Sequence, residues 1–249
     1  MPFQSRAEII SSSTPNREVD SHEHHVPNLP SGAGYPSTAC VPWNDHCPEN
    51  GPAVLMRTVG AILSAYLLGC FTTGYYLVRA LTGQDVRVTS SGNVGSRNVG
   101  RLLGAKGFIL TFLGDAGKGL LAVYVARRLG YGQVAETAVL LAVTAGHIWP
   151  IQLRFRGGKG FATFAGGMVL LLPHLLLVGL VMCAVLYPVM RHTTKTGLAV
   201  LCCSPLVLAM IRLREGKPLI SPEYVLYCLL VMMVLYAHRS NIRAFFSPS

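Results

Sequence analysis

Charge is what this sequence has least of. Only 13% of its 249 residues are Asp, Glu, Lys or Arg, about half the share of an ordinary soluble domain. Acidic residues are the scarcer kind, 11 against 21 basic ones, for a net charge of +10. So little charge argues against a disordered chain and against a typical soluble enzyme. No Cys-x-x-Cys occurs among the 7 cysteines, and no Cys/His spacing reads as a zinc site, so neither metal nor cofactor is expected. Also missing are a phosphate loop ending in Gly-Lys-Ser/Thr, a His-Glu-x-x-His string, a Ser/His/Asp order and a pair of catalytic carboxylates.

What is present is apolar. Hydrophobic residues make up 51% of the chain and the mean hydropathy is +0.44. The basic residues lie between apolar runs, so anionic lipid headgroups or a phosphorylated substrate fit them better than nucleic acid. Residues 1–52 are polar and without periodicity, which predicts a disordered extension rather than a signal peptide. Within it, Cys40 and Cys47 can pair in an oxidising compartment, and His22, His24 and His25 read as solvated. Residues 53–246 read as a multi-span membrane domain. Its candidate spans are 54–78, 107–126, 134–152, 160–172, 174–190, 197–212 and 222–238, with Pro173 dividing the fourth from the fifth. The fold expected is therefore an all-α integral membrane protein of about seven transmembrane helices. Lys and Arg favour the side holding the loops near 79–106, 153–159 and 191–196 and the C-terminus, about two to one. That bias predicts a cytoplasmic location for these loops and an N-terminal tail on the other side.

The unusual sequence falls on that basic side. The string Ser91-Gly92-Asn93-Val94-Gly95-Ser96-Arg97-Asn98-Val99-Gly100-Arg101 combines glycines, neutral hydrogen-bonding groups and two guanidinium forks, as a phosphate cradle needs. A flexible polar loop is the plainer alternative. Asp115 and Lys118 lie three apart inside an apolar span; a structural ion pair is favoured over substrate contact. Gly157-Gly158-Lys159-Gly160 enters a helix, where free N–H groups and a lysine make a second anion site. His147 and Trp149, just upstream, can be read as interfacial anchors. His238 and Asn241 share a face if the last helix continues. His238 can then act as acid, base or neutral donor; a basic helix end beside anionic lipid is the alternative.

Taken in order, these segments resemble a known family, the bacterial acyl-phosphate:glycerol-3-phosphate acyltransferases, or PlsY family. The resemblance rests on SGNVGSRNVGR at 91–101, GDAGKG at 114–119, GHIWPIQLRFRGGKGFAT at 146–163 and AHRSNIR at 237–243, and covers about 55–246. It implies a seven-helix protein of the bacterial cytoplasmic (inner) membrane with active-site loops facing the cytoplasm. It implies transfer of a fatty acyl group from acyl phosphate to the sn-1 hydroxyl of glycerol 3-phosphate. Acyl phosphate, glycerol 3-phosphate and membrane lipids are the partners implied, with the acyl-phosphate-producing enzyme a candidate. Ser91, Arg101, Lys159, His238 and Asn241 match catalytic positions. Gly92, Asn93, Arg97, Asn98, Gly157, Gly158, Gly160 and Thr196 stand as substrate or phosphate contacts, with Asp115 and Lys118 as a structural pair.

Two departures are visible. Ser96-Arg97 stands where the family's first loop has Ala-Thr, and in the third loop either Thr194 or Thr196 stands in for a substrate-facing serine or Lys195 contacts phosphate instead. Two other readings compete: a transporter of a phosphorylated solute, or a catalytically weak paralogue acting as a scaffold.

Overall fold

The structure, a computed structural model, describes residues 51–246. The expected extension with Cys40, Cys47 and the three histidines thus lies outside the described residues, save Gly51 and Pro52.

Nine α-helices and no strands occur among the described residues: α1 (Pro52–Cys70), α2 (Thr73–Thr82), α3 (Ser96–Arg128), α4 (Gln133–Ile148), α5 (Phe161–Leu171), α6 (Pro173–Met190), α7 (Thr193–Arg214), α8 (Pro222–Ala237) and α9 (Arg239–Phe246). Proline opens three of them. Pro52, Pro173 and Pro222 each sit in the first turn, where a missing N–H costs nothing. Ser221 caps α8 by accepting from the Tyr224 N–H at 3.4 Å. Gly83, with φ of 71°, ends α2 in the left-handed region. The division at Pro173 expected from the sequence is present.

Among the described residues, five spans are long and apolar enough to cross a membrane, with α1 and α2 counted together, or six if α8 and α9, bent by 62°, form one. The expected count of seven depends on 160–172. That stretch is the 11-residue α5, about 16 Å long, against a hydrocarbon core of about 30 Å. α3 is also two pieces, because Gly104 takes φ 69° and ψ −163°. Residues 96–103 therefore form a separate segment that brings the first motif to the end of the bundle.

Side-chain burial is inverted relative to a soluble protein. Only 6% of the α6 span is buried, and Leu177, Leu180, Val181 and Val185 are all more than half exposed. Such a surface is stable only in an apolar solvent. The interior cluster joins Val123, Leu140, Val143, Met168, Tyr227 and Leu230 from α3, α4, α5 and α8. Glycines set two tight contacts. A Cβ on Gly119 or Gly166 would overlap the facing backbone between α3 and α5, and one on Gly69 or Gly146 would do so between α1 and α4. Small residues let helix backbones approach closely where no hydrophobic effect drives association.

Candidate active site

The loop before α3, the turn before α5, the start of α7 and the start of α9 meet around one cavity of about 530 Å³. Its polar wall includes Ser91, Asn93, Arg97, Arg101, Lys159, Thr194, His238 and Asn241. Phe108, Phe112, Phe161, Cys183 and Leu198 form an apolar wall. Four segments scattered over 150 residues of sequence thus supply one site. Lys159 Nζ donates to Asn241 Oδ1 at 2.6 Å, tying the glycine turn to α9. Burial and the nearby Arg97 charge hold the Lys159 ammonium below the ordinary lysine pKa. The His238 ring is buried and its Nδ1 lies 2.8 Å from the Val234 carbonyl. Nδ1 therefore carries the hydrogen of the neutral ring, leaving Nε2 as an acceptor. Arg97 Nη1 donates to Thr194 Oγ1, joining the start of α3 to the start of α7.

Beneath the glycine turn lies a buried polar cluster. Lys118 Nζ is 3.1 Å from Asp115 Oδ1 and 2.8 Å from His147 Nδ1. It also donates to the Gly69 and Phe71 carbonyls at 3.0 and 2.8 Å, while Asp115 accepts the Thr73 N–H at 3.3 Å. These backbone groups belong to the break between α1 and α2. A broken helix in lipid must have its freed groups satisfied by protein, and this ion pair satisfies three of them. The structural role expected for Asp115 and Lys118 therefore has a specific basis. His147 differs from the reading as an interfacial anchor, because it is 3% exposed and belongs to the cluster.

His147 also shapes the turn. Its carbonyl accepts the Gly158 N–H at 3.0 Å, and the Ile148 carbonyl accepts the Gly157 N–H at 3.1 Å. Those two N–H groups are spent inside the protein, so Gly157 and Gly158 do not offer them to an anion as expected. Gly160, at φ 78°, turns the chain into α5, and Phe161 and Ala162 face the cavity. A Cβ on Gly158 would overlap the His147 ring. Gly158→Ala should displace Lys159 and lower kcat/KM roughly 10- to 100-fold without unfolding the protein. Steady-state rates beside a thermal melt would check this.

Three other expected contacts have a different use. Asn98 accepts the Ser91 N–H at 3.2 Å and donates to the Val86 and Thr89 carbonyls at 3.1 and 3.2 Å. Asn98 lines the cavity, but all of its amide's partners lie in the 86–91 loop, so it shapes the cradle. Gly92, at φ 69°, makes the turn there and donates its N–H to Thr89. Thr196 is buried, donating to the His192 carbonyl at 3.1 Å; of the two expected threonines Thr194 lines the cavity, beside Thr193. One supporting residue had no sequence signal beyond an Asp-x-Arg spacing. Arg87 pairs with Asp85 at 2.6 Å and donates to the Leu153 carbonyl at 2.9 Å, bracing the first loop against the second. Arg87 in turn holds the Asp85 carboxyl below its ordinary pKa. Among the described residues, no cluster of three or more His, Cys, Asp or Glu side chains is placed to hold a metal.

Comparison with known proteins gives a consistent result. Residues 59–247 match the family model described as glycerol-3-phosphate acyltransferase. A glycerol-3-phosphate acyltransferase of Rubrobacter xylanophilus is 43% identical over 193 residues, 76% of this chain and 92% of that protein. Glycerol-3-phosphate acyltransferase 1 of Desulfitobacterium hafniense is 39% identical over 188 residues, 76% of this chain and 90% of that one. Among solved structures, the glycerol 3-phosphate form of PlsY, an integral membrane glycerol 3-phosphate acyltransferase, matches with a TM-score of 0.66 at 28% identity. That match covers 76% of this chain and 92% of the other. Its lysophosphatidic acid form matches with a TM-score of 0.64.

Proposed function

The chain belongs to the glycerol-3-phosphate acyltransferase family and is a multi-pass membrane acyltransferase; on that footing we propose that it transfers a fatty acyl group from acyl phosphate to the sn-1 hydroxyl of glycerol 3-phosphate. The products are lysophosphatidic acid and inorganic phosphate. One observation carries this reading. Arg101 from the start of α3 and Lys159 from the turn before α5 line a single cavity that also has a phenylalanine wall. Two phosphate-bearing substrates, one with a fatty chain, match those features.

In the step, the sn-1 oxygen bonds to the acyl carbonyl carbon. The bond from that carbon to the phosphate oxygen breaks, and phosphate leaves with the electron pair. The hydroxyl proton passes to a phosphate oxygen of substrate. The acyl phosphate is already activated, so positioning and charge stabilisation suffice. Ser91, Asn93 and Arg101 hold one phosphate, and Lys159 with Asn241 holds the other. His238 orients the hydroxyl through Nε2, and Arg97 with Thr194 completes the rim. The reaction face is cytoplasmic, in the bacterial inner membrane. Residues 53–246 carry the activity, and an acyl-phosphate-producing enzyme is the neighbour that supplies the donor.

Lys159 binds phosphate only as the ammonium. Its lowered pKa means that this form is lost at a lower pH than in an ordinary lysine. The alkaline limb of kcat/KM should therefore lie below the range of an ordinary lysine. Arg97→Thr removes a neighbouring positive charge and should move that limb upward in a pH–rate profile. The donor and the position of attack are tested by offering acyl phosphate and acyl-coenzyme A separately with glycerol 3-phosphate, and mapping the product by NMR. Product from acyl phosphate alone, acylated at sn-1, is expected. A preference for the thioester, or sn-2 acylation, would overturn the assignment.

A further inference from the structure

The turn between α4 and α5 has a feature that the acyl transfer does not use. Arg154 and Phe155 are consecutive non-glycine residues at φ 54° and 59°. Left-handed backbone is uncommon for a bulky side chain, and two in succession persist only where the surroundings enforce them. Those surroundings are present. Leu153 is buried, and its carbonyl accepts from Arg87 Nη1 and from the Arg156 N–H. The Phe155 N–H donates to the Pro150 carbonyl at 3.0 Å. The turn is thus a braced support, and it presents Ile151 and Phe155 outward, 60% and 57% exposed. Arg154 and Arg156 flank Phe155 and are exposed as well.

Position and charge identify what covers this surface. The α4 span ends at Leu153 by length and composition, so the turn stands where hydrocarbon gives way to headgroups. Residues 149–160 carry three basic side chains and no acidic one. Among the described residues, neither Arg154 nor Arg156 takes part in a salt bridge. Exposed apolar side chains beside arginines without ion-pair partners at a span end match an anionic phospholipid interface. We propose that residues 150–156 are an interfacial wedge. Phe155 and Ile151 enter the headgroup and upper acyl region, Arg154 and Arg156 bind lipid phosphates, and the braced turn fixes the depth of Lys159 against the bilayer.

The test places the only tryptophan at the wedge, as Phe155→Trp in full-length protein carrying Trp43→Phe and Trp149→Phe. The protein is reconstituted in vesicles of phosphatidylcholine or phosphatidylglycerol brominated high on the acyl chain. Quenching by the brominated lipid, with little quenching by aqueous acrylamide, is expected. The preference for the anionic lipid should fall roughly fivefold for each arginine changed to serine. Ile151→Trp in the same background repeats the depth measurement should the first variant fold poorly. Acrylamide quenching as strong as that of a free indole, without bromine quenching, would overturn the wedge. So would shielding that appears only when a soluble acyl-phosphate-producing enzyme is added, since the surface would then dock a protein. Equal quenching by the two lipids would remove the role of the arginines.

Discussion

Lys159→Ala is expected to lower kcat/KM by roughly 100- to 1,000-fold, the range for removing one preorganised charge-stabilising donor from a water-poor site. Several observations make this residue central. Lys159 is held by a 2.6 Å hydrogen bond to Asn241, so its position is fixed before substrate arrives. It stands on a glycine turn seated on His147, and few other side chains reach the cavity with a positive charge. Lys159→Arg should restore only part of the loss, because a planar fork does not fit a seat formed for a compact ammonium. Asn241→Ala should cost less than Lys159→Ala. The double variant should cost little more than the lysine change alone, since the amide acts partly through the lysine. Steady-state kinetics on the four proteins would check the cycle.

Lys118→Met should destabilise the fold by about 3–5 kcal/mol, the usual cost of breaking a buried pair from one side. It strands the Asp115 carboxylate, whose side chain is only 2% exposed. It also removes the donor to the Gly69 and Phe71 carbonyls where α1 gives way to α2. The loss should appear as a lower melting temperature in detergent and a lower folded yield. Adding Asp115→Asn should recover part of the stability by discharging the stranded group. It should not recover all of it, because the two carbonyls remain without the lysine. Full recovery would mean that the cluster is a simple ion pair with no part in holding the helix break.

Much of this was legible in the sequence because apolar runs and special loops carry separate signals. Pro173 marked the division between α5 and α6, and the glycine- and asparagine-rich string marked the first loop. The convergence of Arg101, Lys159, His238 and Asn241 on one cavity followed from a resemblance in four ordered segments, not from any one of them. Other features depend on three-dimensional accounting. Asn98 looks like a phosphate ligand in a polar string, yet its amide is consumed by the loop it stands in. Gly157 and Gly158 look like open donors, yet their N–H groups close on His147 and Ile148. His147 lies beside a tryptophan near a span end, which suggests an interface; its burial against Lys118 requires knowing that α3 and α4 pack there. Thr194 and Thr196 differ by two positions on a helix, and only the path of α7 decides which one faces the cavity. The break between α1 and α2 has no proline to announce it, and within the mostly apolar 54–78 only the short Thr72-Thr73-Gly74 marks the place.

In the proposed reaction one cavity binds both phosphates and passes the acyl group from one substrate to the other. The most direct measurement is phosphate release from the purified protein in a lipid mesophase, given palmitoyl phosphate with and without glycerol 3-phosphate. Release is expected to require both substrates, match lysophosphatidic acid mole for mole, and disappear in Lys159→Ala. Release at the same rate without glycerol 3-phosphate, or none from well-folded wild-type protein, would contradict it.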